Sequence, residues 1–177
     1  MLQDKAQLAR LIRDISDYPK PGVTFKDITP LLASPIGFQN AIEEIVRAAP
    51  ADIDAVLGIE ARGFILAAPV ALALGAGFVP ARKPGKLPGE IHEIAFDLEY
   101  GTDALQVHAD AIKPGAKVLI VDDVLATGGT MIAAAELLKR LRADLVQVSL
   151  LLELGFLGGR QRLYDNGIQD VQAVLSE

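Results

Sequence analysis

Val118-Leu119-Ile120-Val121-Asp122-Asp123-Val124-Leu125-Ala126-Thr127-Gly128-Gly129-Thr130 is the stretch that decides the fold. Four apolar residues in a row read as a strand buried on both faces, which is what a parallel sheet covered by helices requires. Two adjacent acids follow at once, and carboxylates are costly to bury unless something uses them. The reading is a strand over residues 117–121, a turn over 122–130 and a helix over 131–141. In an open parallel sheet, ligands bind beyond the carboxyl ends of the strands. Glycines there let a backbone come close, and a helix N-terminus offers free N–H groups to an anion. Thr127 and Thr130 add hydroxyls. The chemistry is that of a phosphate cradle with carboxylates just upstream, as a sugar phosphate needs. No Gly-Lys-Ser/Thr follows, so this is not a Walker A loop, and the glycine spacing differs from the dinucleotide fingerprint.

Similar units flank this one. Ala55–Ile59 is a short apolar run entering Glu60-Ala61-Arg62-Gly63 and an apolar helix over residues 64–74. Gly77–Ala81 is another, entering a Pro/Gly-rich loop that carries Arg82, Lys83 and Lys86. Residues 145–152 form a further run. Strands alternating with helices predict an α/β domain with a mostly parallel sheet. Ile94, Phe96, Leu98 and Tyr100 alternate up to Gly101, and Leu105 and Val107 beyond it, which predicts a hairpin. Residues 63–79 are too rich in Ala and Gly, and too short, to span a bilayer; they read as a buried helix followed by a strand.

Towards the N-terminus, Asp4 reads as an N-cap and Leu8, Leu11, Ile12 and Ile15 recur at helical spacing. Residues 18–22 hold two prolines and a glycine and predict a turn or extended segment. Ser34-Pro35 reads as N-cap and first helical residue. Behind it Phe38, Ala41, Ile42, Ile45, Val46 and Ala49 form one apolar stripe.

With 177 residues, one compact domain is expected. Cysteine is absent, which excludes a disulfide framework and a thiol nucleophile. The net charge of -6 argues against nucleic-acid binding. The first ten residues carry Asp4, Lys5 and Arg10 and lack the apolar core of a signal peptide, so a cytoplasmic protein with no membrane partner is expected. His92 and His108 have no ligand partner at suitable spacing, and no metal or catalytic role is assigned to them.

The strand, twin acids and Thr-Gly-Gly-Thr loop resemble the signature by which type I phosphoribosyltransferases bind phosphoribosyl pyrophosphate (PRPP). Similarity to the adenine-specific branch also includes Tyr18-Pro19-Lys20-Pro21-Gly22, Phe25-Lys26-Asp27-Ile28-Thr29, Glu60-Ala61-Arg62-Gly63-Phe64, the segment from Arg82 to Gly89, and Leu98-Glu99-Tyr100-Gly101. The resemblance implies the single-domain type I phosphoribosyltransferase fold over residues 1–177. Its sheet is twisted, mostly parallel and flanked by helices. A hood with the adenine pocket falls at about 1–35, and a flexible hairpin flap over the active site at about 90–109.

It further implies a role for each group. Asp122 and Asp123 hold the ribose hydroxyls, and Ala126, Thr127, Gly128, Gly129 and Thr130 the 5′-phosphate. Glu60, Ala61 and Arg62 form the pyrophosphate loop, with a non-proline cis peptide at Glu60–Ala61. Arg82, Lys83 and Lys86 also reach pyrophosphate, although a solvated loop is as good a reading for Lys86. Glu99 is the proposed proton acceptor, and Tyr100 stands beside it on the flap. Thr24, Phe25, Lys26 and Leu154 serve adenine, with Lys26 standing where many members carry arginine. Mg²⁺ comes with PRPP, AMP and pyrophosphate are the products, and a homodimer is implied. The rival substrates are hypoxanthine, guanine and xanthine. A PRPP-sensing regulator is a more distant alternative, for which the basic face is missing.

Overall fold

The computed structural model describes residues 5–97 and 102–177. They form two compact units, residues up to 44 and residues 45–177. The first contains α1 (Lys5–Ala9), β1 (Arg13–Ile15), β2 (Phe25–Asp27), α2 (Thr29–Ala33) and the start of α3 (Pro35–Ala48). β1 and β2 pair antiparallel, Ile15 opposite Phe25. The helix predicted to continue to Ile15 therefore ends at Ala9. Its last apolar residues are taken by a turn and by the β1 pairing, and Ile15 is exposed. The turn at residues 18–22 is present, with a cis Tyr18–Pro19 bond and Gly22 at φ 84°. Ser34 caps α3 as expected, its hydroxyl accepting from Gly37 N–H at 3.1 Å.

The second unit is built on β3 (Ala55–Ile59), β4 (Gly77–Ala81), β7 (Lys117–Leu125), β8 (Asp144–Glu153) and β9 (Val171–Ser176), a parallel sheet in the order β4-β3-β7-β8-β9. Between β4 and β7 stands the antiparallel hairpin β5 (Ile91–Asp97) with β6 (Thr102–His108). The helices are α4 (Arg62–Leu74), α5 (Gly129–Leu141) and α6 (Gly159–Asp165), with a 3-10 turn at Gly155–Leu157. β3 and β4 have the predicted bounds. β7 does not stop at Val121: it runs through both acids, because Asp122 and Val124 keep their pairing with Leu150 and Leu152 of β8. The twin carboxylates are thus held on a strand rather than in a turn.

The chain winds from β3 through α4 towards one edge and from β7 through α5 towards the other. Right-handed crossovers in opposite directions put α4 and α5 on opposite faces. Leu57, Ile59, Val118 and Ile120 accordingly pack in one core with Met131, Leu137 and Leu138 of α5 and with Leu105 and Val107 of the hairpin. On the other face Gly58 lies so close to α4 that a Cβ there would meet the Cβ of Ala67 at 2.7 Å. α4 is only half sunk, contrary to the expected buried helix. Leu66, Ala67 and Val70 are buried, whereas Ile65 and Leu72 face outward. Among the described residues no helix is long and apolar enough to cross a membrane.

Candidate active site

The winding direction reverses between β3 and β7, and a ligand crevice is expected at the carboxyl ends of such a strand pair. A cavity of about 340 Å³ lies there. Its wall takes Glu60, Ala61 and Arg62 from the end of β3, Lys83 from beyond β4, and Phe96 and Asp103 from the hairpin. Asp122, Asp123, Ala126 and Thr130 complete it from β7 and α5. A larger cavity of about 590 Å³ opens near the amino ends of β3 and β4, beside Asp54, Phe78 and Lys113; it has no paired acids and no helix N-terminus.

On the β3 side the Glu60–Ala61 peptide is cis, and α4 begins at the next residue. Gly63 in its first turn lies directly against β7. A Cβ there would be 2.7 Å from Asp122 Oδ1 and 3.1 Å from the Val121 carbonyl, so only glycine fits. On the β7 side Asp122 and Asp123 are both buried, and Asp123 N–H donates to Asp122 Oδ1 at 2.8 Å. Burial first, and the neighbouring Asp123 charge second, push the Asp122 carboxyl well above the usual carboxylate range. The turn passes Gly128 at φ 83° into α5, whose N-terminus has no side-chain cap. Its first N–H groups are therefore available to an anion.

Each of three cations has a protein carboxylate as partner. Arg62 Nε stands 2.8 Å from Asp123 Oδ2, although the approach leaves that buried oxygen without a hydrogen bond. Arg82 grips Glu60 through Nη2 at 3.1 Å and Nε at 3.3 Å, and Lys83 N–H donates to the same carboxylate at 2.8 Å. These bonds, Arg82 foremost, hold the Glu60 pKa below its ordinary value. Lys83 Nζ meets Asp103 Oδ2 at 2.5 Å. Burial opposes ionisation of Asp103, but Lys83 and the Ala104 N–H outweigh it, and its pKa is lowered.

The predicted residues are only partly brought together. Lys86 is exposed and gives its carbonyl to Arg82 Nη1 at 3.4 Å. Thr24, Phe25 and Lys26 belong to the first unit. There Lys26 Nζ pairs with Asp14 at 2.8 Å, and Phe25 stacks edge-on with Tyr18 at 5.3 Å between ring centroids. Leu154 belongs to the second unit, buried, its N–H bonded to the Leu125 carbonyl at 2.9 Å. Glu99 and Tyr100 lie outside the described residues. Asp103 lines the cavity without being among the residues expected from the sequence; its alternation with Leu105, on the same side of β6, is the available signal.

Comparison with known proteins agrees with this geometry. The family model for the phosphoribosyl transferase domain matches residues 26–162. The adenine phosphoribosyltransferase of Cutibacterium acnes is 61% identical over 176 residues, covering 99% of each chain. The crystal structure of the enzyme of that name from Thermoanaerobacter pseudethanolicus superposes with a TM-score of 0.93 at 44% identity, covering 98% of this chain and all of that one. The Saccharomyces cerevisiae enzyme, solved with adenine and an imino-altritol bisphosphate, gives 0.89 at 39% identity, covering 97% of this chain and 98% of that one. The chain belongs to the type I phosphoribosyltransferase family and, within it, to the adenine phosphoribosyltransferases.

Proposed function

We propose that the chain transfers the 5-phosphoribosyl group of PRPP to N9 of adenine, giving AMP and pyrophosphate in purine salvage. One observation carries the site assignment. A guanidinium, two buried acids and the uncapped N-terminus of α5 converge on one cavity at the switch point of the sheet.

The phosphate rests on Ala126, Thr127, Gly128, Gly129 and Thr130, where bare amides and the helix dipole favour an anion. The carboxyl groups of Asp122 and Asp123, both facing the cavity, hold the ribose hydroxyls. The C1–O bond breaks as the C1–N9 bond forms on the opposite face, and the electron pair leaves with pyrophosphate. Arg62, Arg82 and Lys83, with Glu60 and Ala61 beside them, stabilise the charge that grows there. Among the described residues no three His, Cys, Asp or Glu side chains converge as a metal cage. The carboxylate oxygens of this cavity suit a hard cation, and Mg²⁺ bound with PRPP would neutralise pyrophosphate oxygens. The N9 proton leaves towards Glu99 or water, the roles of Glu99 and Tyr100 resting on the family resemblance alone. For the purine, the family resemblance supports backbone groups at Thr24 and Lys26 and the side chain of Phe25 in the first unit and, separately, Leu154 in the second. The family resemblance supports a cytoplasmic homodimer.

The test is turnover of adenine, hypoxanthine and guanine with PRPP and Mg²⁺, following nucleotide and pyrophosphate. A site that hydrogen-bonds the amino edge of adenine should favour it by at least about 100-fold over an oxo analogue. Comparable turnover of hypoxanthine would overturn the specificity.

A further inference from the structure

The turn that leaves β7 is braced from behind by the C-terminal part of the chain. Gly159, the first residue of α6, lies so close that a Cβ on it would sit 2.2 Å from the Ala126 carbonyl oxygen and 3.1 Å from Leu125 Cδ1. Ordinary contact needs at least 3.4 Å, and the atom in the way is backbone rather than the end of a pliable side chain. Reciprocally, a Cβ on Gly128 would meet the Gly159 carbonyl at 3.1 Å and Leu163 Cδ2 at 3.4 Å. The two backbones interlock. Leu154 N–H bonds the Leu125 carbonyl at 2.9 Å, and Arg162 Nη1 reaches the Thr127 carbonyl at 3.4 Å.

What keeps α6 there is its second residue. Arg160 Nε donates to both oxygens of Glu153, at 2.8 and 3.0 Å, and its Nη2 donates to Oε2. Its Nη1 donates to the Val171 carbonyl at 2.6 Å. Glu153 is buried at the end of β8, and Val171 opens β9. One planar guanidinium therefore ties the first turn of α6 to two strands, which the point charge of a lysine cannot reproduce.

We infer that Gly159 and Arg160 are positioning residues for phosphoribosyl binding: the absent side chain of one and the fork of the other fix the backbone of residues 126–128. The inference rests on the proposal that this turn holds the 5′-phosphate. Neither residue lines the cavity. Their effect passes through the placement of the turn, where a displacement of about an ångström costs up to about 100-fold.

The experiment compares Gly159→Ala and Arg160→Lys with the unaltered enzyme. It measures KM for PRPP, KM for adenine, and the Kd of ribose 5-phosphate by titration calorimetry. Both variants should raise the PRPP KM and the ribose 5-phosphate Kd about tenfold, leaving the adenine KM within about twofold. A role in stability alone would lower the melting temperature and the active fraction without that split. If Gly159→Ala fails to fold, Arg160→Lys carries the test. A rise of about threefold or more confined to the two phosphoribosyl ligands supports the inference; a smaller one, or an equal rise for adenine, overturns it. Thr130→Ala separates the two levels. If it leaves ribose 5-phosphate affinity intact, the turn is not the phosphate site and both proposals fall. If it abolishes that affinity while Gly159→Ala and Arg160→Lys do not, only the positioning role falls.

Discussion

Asp122 sits on a strand, under the first turn of a helix, next to another carboxylate and out of water. Its raised pKa has a definite sign in the stability. The protonated form favours the folded chain below the ordinary carboxylate pKa of 3.8, and that contribution is lost as pH climbs through the higher folded value. Asp122→Asn keeps the shape and removes the ionisation. We expect a higher melting temperature at pH 7 and a flatter dependence of stability on pH from about 4 upward, read by scanning calorimetry. kcat/KM should fall at least about tenfold, because an amide replaces the carboxyl group proposed to hold the ribose. A variant less stable at neutral pH would contradict the burial argument. At this scale the sequence exposes residue types but few partnerships. Arg62 could be singled out from its motif, yet its pairing with Asp123 follows from β3 and β7 being neighbours, which no local pattern encodes.

Elements were more legible where one rule decided them. β3 and β4 are continuous apolar runs with a loop at each end, and their bounds were visible. A polar residue looks like the end of a buried strand, so the sequence signal for β7 stops at Val121 although the strand carries two acids inside it. The N-terminal helix is shorter than its periodicity suggests, because i, i+3, i+4 spacing persists through residues that pair as a strand instead. α6 and β9 give little signal in the sequence: both are short, and β9 is defined by pairing with β8 rather than by its own pattern. Asp27 shows what anchors the small β1–β2 ribbon. The Thr29 hydroxyl and N–H, then Arg13, hold its pKa at about 2. The stability it contributes is present above the ordinary value and disappears as pH falls from about 4 to about 2. Asp27→Asn should therefore melt lower at pH 7 and lose less on acidification through that window. Thermal melts from pH 2 to 7 check it, and an unchanged acid slope would refute it.

For the whole molecule, a bound nucleotide adds stability by mass action. AMP at about 100 times its Kd should stabilise the native state by about 2.7 kcal/mol and raise Tm by roughly 5–10 °C. A scan with and without AMP measures this, and a Tm that does not move would exclude AMP as a ligand of the folded state. The chain is acidic overall, with net charge -6, and Arg62, Arg82 and Lys83 are each matched to an acid. The mouth of the crevice is consequently no open funnel for anions. On the proposed assignment, an incoming pyrophosphate group takes over cations now paired with Asp123, Glu60 and Asp103, so association is an exchange of partners and not a capture. A ligand whose sugar hydroxyls then occupy Asp123 completes the swap, whereas a bare inorganic anion strands that carboxylate. On the same assignment, these pairings favour the esterified form over simple salts.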